Sequence, residues 1–523
     1  MRTRKKVFFV LVFLAGFINS NLFFSCNSVP QADQKSAKDS SIQAGKRLAE
    51  SYCQSCHLLP DPGLLDKKSW TDGVLPAMGP RLGIFAFGNS VYPSKRNDPD
   101  IPKGYYPSAP VISFDQWQNI IDYYAAYSPD ALPKQQRKDS IKNDLSLFRV
   151  IKPVYTYPTP ATCYVKFDTT RNRPSLLVCD AINKNVLRFN DHLKMTDSMS
   201  LGGPVVDFSF NGNELVACNM GNINPHDSKL GSAQIVGFTK TGKMKLEAKP
   251  LFDKLGRPVQ ILQADLNNDG KPDYIICEFG NIAGALSWME NMGNGHFERH
   301  VLRQFPGAIR VYVDDYNHDG LPDIWALFAQ GEEGIFLFTN KGNGNFDQRE
   351  VLRFPPVYGS SSFELTDLNH DGYPDIIYTC GDNADFSRVL KPYHGVYIFL
   401  NDGKNNFSQK YFFPVDGCYK AMARDFKGDG NIDIALISFF ADYKNQPEEG
   451  FVYLENKGNF QYVPHTLPEG QLGRWLTMDV GDFNGDGKPD IVLGNFSVGP
   501  TMMQSRVNWK QNPPFIVLKN GKK

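Results

Sequence analysis

This chain is poor in histidine and carries no surplus of either charge, and both shortages exclude functions. Its 523 residues include 56 basic and 56 acidic side chains, so the formal net charge is zero. Without a basic excess there is no electrostatic footprint for a nucleic-acid partner. There is no GxSxG, HExxH or Rossmann glycine fingerprint, which removes the common hydrolase, zinc-protease and dinucleotide signatures. There is also no apolar run long enough to cross a bilayer. The leading one, Val7 to Phe17, follows Arg2, Arg4, Lys5 and Lys6 and gives way to Asn19, Ser20 and Asn21. That pattern reads as a signal peptide. Between residues 27 and 150 the only histidine is His57 and the only methionine is Met78.

Those two residues gain weight from what surrounds them. Cys53-Gln-Ser-Cys56-His57 has two thiols spaced to reach the two vinyl groups of one porphyrin, and an imidazole placed to ligate the iron. It is the attachment signature of haem c, held covalently. A thioredoxin-like redox pair would need a βαβ context, which is missing. Half a zinc site would need a second Cys/His pair nearby. The next cysteine is Cys163 and the next histidine His192.

Met78, in the Pro- and Gly-rich stretch Leu75-Pro-Ala-Met78-Gly-Pro80, is the expected second iron ligand, read as part of a stiff loop. Core packing is the plain alternative for it, and Lys67 or Lys68 are weaker candidates. A helix over Ile42 to Ser51 delivers Cys53. Ser113 and Gln116 form a capping box that opens a helix carrying Trp117, Ile120, Ile121 and Tyr124 at helical spacing. Pro129 and Pro133 stop it. Residues 42–131 therefore resemble a small class I cytochrome c domain, with a short His57-to-Met78 interval as a departure from it.

Residues 1–25 are the expected signal peptide, ending in Phe23-Phe-Ser-Cys26, which resembles a relaxed bacterial lipobox. Cys26 would be lipidated, which implies export and anchoring at a bacterial cell-envelope membrane. The plain alternative is a secretory cleavage site with a stray cysteine. Residues 26–41 then read as a lipidated cysteine and polar tether, and residues 132–154 as a linker.

The rest of the chain repeats. Asp265-Leu-Asn267-Asn-Asp269-Gly-Lys-Pro-Asp273 returns as Asp315, Asn317, Asp319 and Asp323, as Asp367, Asn369, Asp371 and Asp375, and as Asp482, Asn484, Asp486 and Asp490. A weaker copy runs from Asp425 through Lys427 and Asp429 to Asp433. Two earlier units, led by Asp168 and Asp207, keep the strands without the acidic loop. Several strands in each unit of this period mean a β-propeller, here of seven blades over residues 155–523. The expected fold is thus a small all-α domain followed by an all-β seven-bladed propeller. The repeats resemble the FG-GAP or VCBS family, which includes the integrin α-subunit propeller.

Oxygen donors at positions 1, 3, 5 and 9 of the four good loops, with glycine at 6, suit Ca²⁺. An EF-hand is excluded, because position 12 is an apolar or aromatic strand residue such as Ile276 or Tyr378. The resemblance implies that position 9 supplies the last carboxylate. Lys427, at position 3 of the fifth loop, would replace the cation. Turn formation without metal is the plain alternative for all of them. Arg257, Arg310, Lys420 and Arg474 precede four inner strands and are a candidate cationic ligand mouth. Cys179, Cys218, Cys277 and Cys380 recur at equivalent places and read as buried thiols.

Together these features predict a lipid-anchored electron-transfer protein. Its calcium-stabilised propeller docks a redox partner protein or a small electron donor or acceptor. Two alternatives stand beside it. One is an exported dehydrogenase with its chemistry in the propeller channel, though no histidine starts an inner strand to act as base. The other is an adhesion or glycan-binding propeller.

Overall fold

The computed structural model describes residues 31–170, 174–211, 214–384, 387–501 and 505–521. The expected signal peptide and Cys26 lie outside the described residues. No helix among the described residues is long and apolar enough to cross a membrane.

Seven antiparallel sheets form a propeller. The inner strands of blades 1 to 7 are Thr162–Asp168, Val205–Asn211, Pro258–Ala264, Ala308–Asp314, Ser360–Thr366, Cys418–Arg424 and Trp475–Gly481. The second strands, such as Asp273–Glu278, Asp323–Phe328 and Asp490–Asn495, are buried along their whole length. They are packed by neighbouring blades on both faces, so they read as unbroken apolar runs rather than as an alternation. Outer strands such as Phe346–Arg353 face water and are largely polar. Cys163, Cys179, Cys218, Cys277, Cys380 and Cys418 are all buried free thiols.

The ring closes with a strand from the wrong end of the chain. Phe148–Ile151 is the outer strand of blade 7, pairing Phe148 with Asn520 and Ile151 with Val517. The expected linker over 132–154 is therefore corrected: it contains a strand. Phe148 is buried against Phe426 and Tyr453, and that core is what draws the segment in. Asp207 is also corrected as a repeat leader. In register, Asn211 and Glu214 pair as Ala264 and Asp273 do, so Asp207 lies inside its strand.

Before the propeller stand α1 (Gln31–Tyr52), α2 (Leu75–Met78) and α3 (Phe114–Tyr127). The tether expected over 26–41 is helical from Gln31 onward, because that stretch has no proline or glycine to stop α1. Met78 lies on a helical turn rather than in a loop. The α3 capping box is formed: Gln116 N–H donates to Ser113 Oγ at 3.1 Å, and Ser113 N–H to Gln116 Oε1 at 2.8 Å. α1 crosses α3 at Gly45, where a Cβ would sit 1.8 Å from the Asn119 carbonyl oxygen. Trp70, Trp117, Ile120 and Tyr124 fill the core below this crossing. Each such side chain contributes about 1.5–3 kcal/mol by burial.

This helical segment is seated on the propeller. Val357, Tyr358, Val389 and Tyr393 of blades 4 and 5 join its core. Tyr393 Oη donates to the Leu64 carbonyl at 3.0 Å, and Lys95 pairs with Asp227 at 3.2 Å. The contacts come from loops that enter inner strands or join second to third strands. Strand alternation places the acidic loops on the opposite face.

Candidate functional site

Cys53 follows the last turn of α1, its N–H donating to the Ala49 carbonyl at 2.9 Å. Its thiol is half-buried, and burial, then Cys56, pushes it up to about 11. Cys56 is an exposed free thiol. His57 Nδ1 lies 2.8 Å from the Leu58 carbonyl. A carbonyl only accepts, so Nδ1 holds the proton and Nε2 keeps its lone pair. Burial keeps the ring below its ordinary pKa, with help from Arg353 and Arg81. A neutral imidazole with a free Nε2 is what iron requires. Met78 packs in the same apolar cluster as Cys53, beside Leu82 and Leu59.

Arg81 and Arg353 are residues the sequence reading missed. Arg81 lies over the Tyr105 ring at 4.4 Å and makes no ion pair among the described residues. Arg353, from the outer strand of blade 4, pairs with Glu332 at 3.1 Å. Their place beside His57 depends on how the two parts of the chain dock, so no local motif announces it.

The acidic loops share one geometry. In blade 3, Asp265 accepts from Asp269 N–H at 3.1 Å and Gly270 N–H at 2.9 Å, and Asn267 accepts from Asp269 N–H at 3.2 Å. The loops at Asp315, Asp367 and Asp482 repeat this. Their backbone turns through positive φ at position 6: Gly320 has φ 84° and Gly372 has φ 89°. Asp273, Asp323, Asp375, Asp433 and Asp490, at position 9, are fully buried. Each accepts an N–H from an asparagine ending a neighbouring strand: Asn291, Asn340, Asn401, Asn456 or Asn520.

This arrangement fits a hard cation. Asp323 Oδ2 is buried with no hydrogen-bond partner among the described residues. Burial, with Asp319 and Asp315 nearby, raises Asp323 to about 6, and burial raises Asp490 similarly, to about 6. In the fifth loop, Lys427 Nζ stands 2.9 Å from Asp429, 3.2 Å from Glu455 and 3.7 Å from Asp433. An ammonium there has the place a cation would take.

The four expected mouth cations separate into two pairs. Arg474 is fully buried, donating to the carbonyls of Phe439 at 3.0 Å and Val498 at 2.8 Å, and of Pro500, with its guanidinium 3.6 Å from the Phe439 ring. Arg257 donates to the Ile223 carbonyl at 3.2 Å. Both precede their strands. Arg310 and Lys420 lie within theirs, each just past a register shift, and face the channel. A ring of all four is therefore corrected: strand position decides which side chains reach the axis.

The fold and loops define a seven-bladed propeller with repeated acidic turns. FG-GAP-like repeats match at residues 265–326, 315–378 and 425–493, so the chain carries FG-GAP repeats on that propeller. A T-cell immunomodulatory protein homolog of Plasmodium falciparum is 29% identical over 167 residues, covering 28% of this chain and 22% of that protein. Integrin alpha-5 of Xenopus laevis is 22% identical over 290 residues, covering 51% of this chain and 26% of the integrin. The chain thus spans about a quarter of the length of these relatives. The crystal structure of Saccharomyces cerevisiae Sqt1 superposes with a TM-score of 0.42 at 11% identity, over 73% of this chain and 100% of Sqt1.

Proposed function

We propose that the propeller is a binding device for a protein partner, exported and stabilised by Ca²⁺. The observation that carries this is the set of FG-GAP repeats, matched over residues 265–378 and 425–493 of a seven-bladed propeller, with a stretch similar to integrin α chains. Asp265, Asn267, Asp269 and Asp273, and their equivalents in the other three good loops, would hold the ions. The ions would draw each loop's carboxylates together and so fix the hairpins around it. Immobilised full-length protein exposed to surface-exposed proteins of its own cell, with and without chelator, tests the binding role. Calcium-dependent capture of one partner supports it, and no saturable capture refutes it.

A second reading rests on Cys53, Cys56 and His57. Their place after α1, with α1 and α3 locked at Gly45, supports a haem c module of the cytochrome c kind. Cys53 and Cys56 would form the thioethers, and His57 Nε2 would ligate the iron. Met78 would be the second protein ligand to the iron. Arg81 and Arg353 would supply positive charge for the carboxylates of the porphyrin. Haem, when bound, supplies one reversible electron. The apolar cluster that includes Leu59, Leu82 and Met78 would help exclude water from it. Cys26 would add a lipid anchor. The test is the intact mass of the protein from a host that matures c-type cytochromes. One covalently added haem, lost in Cys53→Ser/Cys56→Ser, supports the reading; a bare polypeptide mass refutes it.

A further inference from the structure

Every inner strand bulges at one place. Pairing shifts between Thr162 and Tyr164, Val205 and Asp207, Pro258 and Gln260, Ala308 and Arg310, Ser360 and Ser362, Cys418 and Lys420, and Trp475 and Thr477. The bulge re-aims the residue that follows it. One ring of seven equivalent side chains results, with one from each blade.

Four of these side chains, Tyr164, Asp207, Arg310 and Lys420, lie within electrostatic reach across the central channel. Arg310 of blade 4 lies within electrostatic range of Asp207 of blade 2 and Tyr164 of blade 1. Lys420 of blade 6 senses Arg310, Asp479 of blade 7 and Lys166 of blade 1. Blades this far apart around the ring communicate only through its middle.

The channel's carboxylates are already engaged in joining blades. Asp207 accepts Ile261 N–H at 3.2 Å. Asp479 accepts Phe167 N–H at 2.9 Å and Lys166 Nζ at 3.0 Å. Glu364 accepts Ala423 N–H at 2.7 Å and Arg424 at 2.6 Å. Arg310 and Lys420 have no direct ion pair in return among the described residues, although Asp207, Tyr312 and Tyr164 lie near enough to favour the charge on Arg310. Lys420 donates to the Met478 carbonyl at 2.8 Å, a neutral partner. Arg310 makes no hydrogen bond or ion pair among the described residues, and the neighbouring Tyr312 hydroxyl donates to the Phe363 carbonyl at 3.1 Å. A guanidinium in so confined a place costs free energy unless something carries the opposite charge.

We propose that the channel is a binding site for a small oxyanion, a carboxylate or a sulfate-like group. Arg310 grips it through its planar fork and Lys420 adds a second charge. Ser362, Thr477 and Tyr164 place hydroxyls on the same ring. Neither partner docking nor haem is needed for this site, so it stands or falls without them.

Isothermal calorimetry on the calcium-loaded full chain tests it, with sodium succinate and sodium sulfate as probes and sodium chloride at matched ionic strength as reference. Phosphate is avoided because it would strip the calcium. The expected result is saturable binding of one or both probes at least tenfold tighter than chloride. Succinate alone identifies a carboxylate site, and sulfate alone a tetrahedral-anion site. Arg310→Gln should weaken binding at least tenfold. Arg349→Gln, on the outer strand of the same blade, should leave it unchanged. If Arg310→Gln does not fold, Lys420→Met supplies the same comparison. Binding no tighter than chloride overturns the proposal and leaves Asp207 as the charge that balances Arg310. Binding that survives loss of both cations overturns it as well.

Discussion

Blade 6 contains an experiment the chain has half performed. Its third-strand Glu455 faces Lys427, whereas in blade 3 the equivalent Glu290 accepts from Asn267 Nδ2 at 2.9 Å. Lys427→Asn makes the blade 6 loop a copy of the blade 3 loop. Without metal it should destabilise, because Asp429, Glu455 and fully buried Asp433 lose an ammonium 2.9, 3.2 and 3.7 Å away. At an effective dielectric of 20, each contact is about 4–6 kcal/mol of gross attraction. Most of that is offset by desolvation, leaving a net loss of about 2–3 kcal/mol, below that of a fully buried pair. Calcium should restore it: at a hundredfold excess over the dissociation constant, one ion adds about 2.7 kcal/mol. The assay has two parts. Equilibrium dialysis with metal analysis should find one more calcium per chain than in the parent protein. Thermal unfolding should be lower than the parent's in chelator and close to it in calcium. If the variant gains no ion and melts with the parent in both conditions, the reading of Lys427 as a built-in cation is wrong.

Four further outcomes follow from the same geometry. Chelation of the parent should lower the unfolding temperature, because the buried position-9 aspartates of the four good loops then lack their counter-charge; an unchanged melt would show that the loops are turns only. Asp323 and Asp490, raised to about 6, set the pH dependence. With folded values above unfolded ones, the metal-free protein loses stability as pH rises from about 4 to 6. Protons compete with calcium over the same window, so the stabilisation by calcium should vanish as pH falls through 6, as melts at a series of pH values would show. Asn340→Ala removes a buried donation to the Leu266 carbonyl at 2.8 Å and a part-buried one to the Pro322 carbonyl at 3.1 Å, and should cost about 1–3 kcal/mol in urea unfolding. Gly45→Val puts a side chain where even a Cβ meets the Asn119 carbonyl at 1.8 Å; it should cost about 1–3 kcal/mol in the helical segment and leave calcium binding intact.

How much of this was legible in the sequence depended on range. The Ser113 capping box, the acidic loops and the Cys53–His57 spacing are local, so their residues could be read directly. The blade count was legible because five loops repeat and two earlier units keep the same strand pattern. Asn291, Asn340, Asn401 and Asn456 recur after the acidic loops, and that recurrence was the unread signal for the locks on position 9. The channel ring was not legible, since it needs a bulge shared by seven strands before Arg310 and Asp207 can be aligned. Nor was Arg353 beside His57, which exists only once blade 4 and the helical segment have docked.

The closing strand ties the two parts of the chain more tightly than a linker would. A chain cut at residue 155 would lose Phe148–Ile151 and expose the whole edge of Phe515–Asn520. Phe148 alone, buried among Phe426, Tyr453 and Ile516, contributes about 3 kcal/mol, and the unpaired edge adds an aggregation hazard. The residues just before it are bound too. Lys142 N–H donates to the Pro464 carbonyl at 3.0 Å, and Arg137 pairs with buried Glu449. A chain beginning at residue 132 keeps all of these contacts and should unfold in urea as one cooperative unit. A chain beginning at 155 should unfold at markedly lower urea and run as aggregates on gel filtration. Equal midpoints would mean that the ring closes through the other three strands of blade 7, and that residues 132–154 are the spacer their composition suggests.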